Sequence, residues 1–79
     1  MSVEEKVVKI ISEIFKVDKS KITEETEFVK DLKAKSYDVL ELIAALEEEF
    51  NIEIDVRDAL KNKTVGEAIE YIRRLIKNK

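Results

Sequence analysis

Ser36 stands between two kinds of charge. The approach, KDLKAK over residues 30–35, carries three lysines, while the twenty positions from Ser36 to Asp55 carry seven acids and no base. The chain has no His and no Cys, so the commonest general base, the thiolate nucleophile and the usual zinc ligands are all missing. That composition points away from autonomous catalysis and leaves four readings of the serine. It can serve as a plain helix cap with no further role. It can pair with Lys35 as a nucleophilic dyad, although adjacent side chains normally point apart. It can accept a phosphoryl group, because the N–H groups and dipole of a helix N-terminus favour an anion there. Lastly, it can anchor a phosphodiester-linked prosthetic group by the same physics. Glu47, Glu48 and Glu49 look like a cation site in one dimension only, since three consecutive helical residues face three directions.

Elements must hold that serine in place. A chain of 79 residues with 44% hydrophobic and 42% charged residues, one Gly and no Pro suits a soluble helical domain spanning 1–79. Ser2 and Glu5 form a capping-box pattern, and Val3, Val7, Ile10, Ile11 and Ile14 recur at helical spacing, which predicts a first helix over about 3–16. Residues 17–35 lack a period. Ile22, Phe28, Val29 and Leu32 are expected to anchor this long connection on the core, with a single turn near Thr23 to Thr26. A second helix is expected from Ser36 to Phe50, stopped by Asn51. Val39, Leu42, Ile43, Leu46 and Phe50 make its core face. Tyr37, Leu40 and Ala44 fall elsewhere among Glu41, Glu47 and Glu48, either as the edge of a broad buried stripe or as a partner face with an acidic rim.

The stretch NIEIDVRDALKNK reads as a connection and a short third helix over Asp55 to Leu60, with Ile52, Ile54, Val56 and Leu60 available for burial; a lone strand over the same alternation has nothing to pair with. Thr64 and Glu67 repeat the capping-box pattern, and Val65, Ala68, Ile69, Ile72 and Ile76 mark a last helix to about residue 77. The expected fold is all-α, a four-helix bundle of three main helices and a short third one, with a long first loop. The segment from Lys61 to Lys79 holds six bases and two acids against the acidic middle, which favours a basic protein partner over nucleic acid. No stretch is long and apolar enough for a membrane span, and the cytoplasm is the expected compartment.

The segments "EIFKV", "EFVKDL", "LELIAALEEEFNIEI" and "TVGEAIEYI", with a serine opening the second helix, resemble acyl carrier proteins over nearly the whole chain. By that resemblance Ser36 aligns with the serine that takes 4′-phosphopantetheine from coenzyme A through a phosphopantetheinyl transferase. Asp38, Glu41, Glu47 and Glu48 align with the acidic face bound by acyl-processing synthases with basic docking surfaces. Lys35, Tyr37, Leu40 and Ala44 would complete that partner face. The implied function is to carry acyl intermediates as thioesters in fatty-acid or related polyketide-type synthesis; the implied state is a monomer without enzymatic activity. Aminoacyl, D-alanyl and peptidyl carriers, or a divergent or engineered interaction module that keeps the same fold and is poorly modified, stand as alternatives. The family's loop usually reads Gly-Ala-Asp-Ser-Leu, where this chain has Lys33, Ala34, Lys35, Ser36 and Tyr37. Lysine in the glycine position costs on the order of 1 kcal/mol if the backbone needs positive φ, and Lys35 reverses the charge beside the serine.

Overall fold

The computed structural model describes residues 1–79. Helix α1 spans Val3–Phe15, and its start follows from a complete capping box: Glu5 N–H donates to Ser2 Oγ at 3.1 Å and Ser2 N–H to Glu5 Oε1 at 3.0 Å. Lys16 ends it in the left-handed region, φ 58. Helix α2 spans Ser36–Phe50 and stops at Asn51, also left-handed at φ 52, where asparagine is better tolerated than most side chains. A four-residue α3 covers Val56–Ala59, and α4 covers Val65–Lys77 behind the Thr64 and Glu67 box. Asp55 lies outside α3 and caps it, its Oδ1 accepting the Arg57 and Asp58 N–H groups at 2.8 and 3.2 Å.

Helix α1 packs against both α2 and α4. Its Val7 and Ile11 are fully buried between Leu42, Ile43 and Leu46 of α2 and Val65, Ala68, Ile69 and Ile72 of α4. Those positions repeat every three or four residues, so each helix turns one stripe inward. Ile52 and Ile54 enter the core as expected from the sequence. Val56 and Leu60 do not: they are 42% and 63% exposed, because they stand four apart on one face of this short turn and it is Ala59, on another face, that packs against the core.

The connection from α1 to α2 is closely held. A single 3₁₀ turn, Lys19–Lys21, begins it behind the Asp18 cap, a feature without a clear sequence pattern. Ile22 and Phe28 anchor it in the core, Leu32 packs against it, and Val29, expected inside, is 74% exposed. The expected turn is present, with Thr26 N–H bonded to Thr23 O and Thr23 N–H to Thr26 Oγ1. Beyond the turn, the loop joins the entrance of α4: Val65 N–H donates to Thr26 O and Gly66 N–H to Glu24 O, both at 2.9 Å, and Phe28 N–H to Lys63 O at 3.1 Å. The first N–H groups of a helix lack partners inside it; here the loop supplies carbonyls to two of them. A Cβ on Gly66 would lie 3.0 Å from Glu24 O, which accounts for the chain's one glycine.

Candidate functional site

The path to Ser36 is set by short-range bonds. Glu27 O accepts the Asp31 and Leu32 N–H groups, and Ala34 N–H reaches back to Phe28 O at 2.9 Å. This fold-back forces Lys33 to φ 56, the left-handed conformation that glycine adopts freely and lysine does not. Lys33 Nζ donates to Lys30 O at 2.9 Å on the outside of the turn. The chain then extends through Lys35 (φ −107, ψ 168), the N-cap of α2.

Ser36 is therefore the first helical residue and not the cap that it resembles in sequence. Lys35 has no side-chain oxygen, so only the reverse half of a capping box forms: Asp38 Oδ2 accepts the Lys35 N–H at 3.0 Å. The acidic residue three positions after Lys35 was the available sequence signal for this register. Ser36 is exposed, and the opening N–H groups of the 15-residue α2 have no side-chain acceptor. A phosphodiester on the serine oxygen would meet those unpaired N–H groups and the positive end of the helix dipole. The residues present thus fit the attachment of a phosphate-linked group.

The residues expected beside Ser36 separate into three kinds. Glu41, Glu48, Leu40, Ala44 and Tyr37 are exposed along α2, with Leu40 and Tyr37 at 56% and 66%. Ile10, Glu41, Ala44, Ala45, Glu48 and Glu49 line an open groove between α1 and α2. Asp38 is bonded to the Lys35 N–H at the head of the helix. Glu47 serves the fold: its Oε2 accepts the Ile54 N–H at 2.9 Å and ties the segment after α2 back to the helix. Glu49 pairs with Lys6 at 3.7 Å. The three consecutive glutamates therefore serve a loop, solvent and α1 in turn, with no shared ion.

A cavity of about 110 Å³ lies between α2, α4, the first loop and α3. Val39, Leu42, Ile43 and Leu46 form one wall and Ala68, Tyr71 and Ile72 the other; Phe28, Ile54 and Ala59 close it. Val29 and Leu60 also line it although mostly exposed, which puts them at its mouth. Their departure from the expected burial thus leaves an opening. Burial raises the Tyr71 phenol above the usual tyrosine range, helped by the nearby Asp58 carboxylate. Sequence periodicity marked the α2 wall as core and gave no signal for an empty volume behind it.

The phosphopantetheine attachment site family matches residues 5–72. The acyl carrier protein of Helicobacter pylori is 50% identical over 72 residues, 91% of this chain and 92% of that protein. The acyl carrier protein of Chlamydia caviae is 48% identical over 73 residues, 92% of this chain and 95% of that protein. A solved structure from Mycobacterium tuberculosis, described as a candidate acyl carrier protein, superposes with a TM-score of 0.85 at 36% identity, covering 92% of this chain and 97% of that one. With a free serine at the head of α2, an acidic flank along it and an apolar cavity behind it, the chain belongs to the acyl carrier proteins, covalent carriers of 4′-phosphopantetheine that are not themselves enzymes.

Proposed function

We propose that Ser36 bears the 4′-phosphopantetheine and that residues 1–79 act as one carrier domain, a cytoplasmic monomer serving fatty-acid synthesis. The observation that carries this reading is the Ser36 hydroxyl itself: exposed, first in its helix and not used for capping. The group supplies the thiol on which an acyl chain is held as a thioester. The protein supplies position. Helix α2 fixes the serine oxygen at a rigid end of the bundle, and its uncapped N–H groups favour the phosphate charge. Exposed Glu41 and Glu48 draw in enzymes with basic surfaces, and such rim charges speed encounter more than they tighten the complex. Leu40 and Tyr37 give that contact an apolar centre.

The cavity supports an acyl over an aminoacyl cargo, since twelve of its thirteen lining residues are hydrophobic and each buried CH₂ gains about 0.8 kcal/mol. Its 110 Å³ must widen for longer chains, and Val29 and Leu60 are placed to move without loss of core. Coexpression with a phosphopantetheinyl transferase followed by intact-mass measurement tests the assignment. Wild type should gain the mass of one phosphopantetheine and Ser36→Ala none. Uptake by Ser36→Ala would transfer the site to another residue and end this reading.

A further inference from the structure

Two residues just before Ser36 are poor choices for the fold, each for its own reason. Lys33 occupies a left-handed turn at φ 56, where glycine is free and lysine is strained. Lys35 holds the N-cap of α2 with no side-chain oxygen to offer its N–H groups, where Ser, Thr, Asp or Asn would stabilise the helix. Lys35 also brings positive charge to the positive end of the helix dipole. Backbone strain and a missing cap at one spot point to a use beyond stability, and both residues contribute the same thing, a cation at the approach to the serine. With Lys30 they put three lysines against one acid, Asp31, in the six positions before Ser36; the Lys33 ammonium rests on Lys30 O at the exposed outside of the turn. None of them belongs to any ion pair of the protein, and the first carboxylate of the helix, Asp38, is held by the Lys35 backbone N–H.

We infer that these lysines form a cationic collar around Ser36 that docks on a protein partner carrying carboxylates at the mouth of its active site. The docking surface is then bipolar. It is positive at Lys33 and Lys35, apolar at Tyr37 and Leu40, and negative at Glu41 and Glu48, laid out over roughly 18 Å from Ser36 to Glu48 at the helical rise. A matching enzyme carries acids around its catalytic entrance and bases farther along. Opposite charges in this order fix the direction in which α2 lies on the partner, and like charges reject enzymes with a uniformly basic face. This inference rests on the assignment of Ser36 as the attachment site.

The test uses a transferase with basic residues at its carrier-binding mouth and a variant of it with one of those bases changed to Glu. Each is assayed against wild type, Lys35→Asp and Lys35→Gln by intact mass over time. Wild type should be modified roughly threefold to tenfold faster by the acidic-mouthed enzyme, with the preference reversed for Lys35→Asp and abolished for Lys35→Gln at low salt. Equal rates in all pairings, with Ser36 modified throughout, would overturn the collar and leave the carrier assignment intact. A ³¹P shift of the modified protein that moves in Lys35→Gln, together with no dependence on the enzyme's charge, would also overturn it by assigning the lysines to the arm's own phosphate. Absence of modification in every pairing would remove the attachment assignment and the collar with it.

Discussion

Neighbouring residues of one type do different work here, and single substitutions separate them. Glu47 and Glu48 are adjacent acids, yet Glu47 satisfies the part-buried connection through Ile54 N–H while Glu48 faces solvent. Glu47→Ala should cost about 1–3 kcal/mol in urea unfolding, the usual penalty for orphaning a shielded donor from a charged partner, and Glu48→Ala less than about 0.5 kcal/mol. Glu48→Lys, like Glu41→Lys, should leave the melting temperature nearly unchanged and weaken docking to a basic enzyme, more so at low salt. A parallel loss of folding and docking would contradict that division. Lys33 runs the other way. Lys33→Gly should raise stability by about 1 kcal/mol, since it relieves the φ 56 conformation and gives up only an exposed Nζ contact.

At the scale of elements, the caps contribute a share of the stability that is lost in acid. Backbone N–H groups hold the carboxyls of Glu5, Asp18 and Glu67 below the usual carboxylate range: Ser2 for the first, Ser20 for the second, Lys63 and then Thr64 for the third. The unfolded chain therefore takes up these protons first as pH falls. The stabilisation is complete above the ordinary carboxylate range and is lost as pH drops through the lower, folded values. Melting temperature should decline on that limb, less steeply in Glu67→Gln. Tyr71 has the opposite sign: its phenol is raised, so the unfolded chain ionises first and stability falls as pH passes about 10. Tyr71→Phe should flatten the alkaline decline. The same caps explain what was legible in the sequence. Reciprocal Ser2 with Glu5 and Thr64 with Glu67 mark two helix starts, and the periodic stripes mark the cores of α1, α2 and α4. Legibility failed where geometry depends on contacts far along the chain or on a single residue of register. Hydropathy placed Val29, Val56 and Leu60 inside, because it reports affinity for a core and not which face of a one-turn helix or a fold-back meets one. Ser36 looked like the cap because the true cap, Lys35, has no capping chemistry. Glu47 carried no sign of Ile54 as its partner.

For the whole molecule, dimensions of 30 × 27 × 19 Å and a radius of gyration of 11.3 Å match the roughly 11–12 Å expected for a fully compact chain of this length, so the long loop adds no trailing volume. Its attachment to α4 has a consequence in time as well as space. Glu24 and Thr26 are made early in synthesis, but the N–H groups of Val65 and Gly66 that bind their carbonyls arrive about forty residues later. During synthesis these contacts cannot form before the last helix exists, and making them must repay the entropy of closing so long a loop. The segment leading to Ser36 should therefore stay open until the last helix docks, and a transferase that recognises its set shape would pass over unfinished chains. Chains ending at Lys63 should be cleaved rapidly by protease between residues 17 and 35 and should accept no arm, whereas addition of a peptide covering residues 64–79 should restore both protection and modification. The closing of the loop by α4 would then serve as a check on completeness, made before any cargo is committed to the protein.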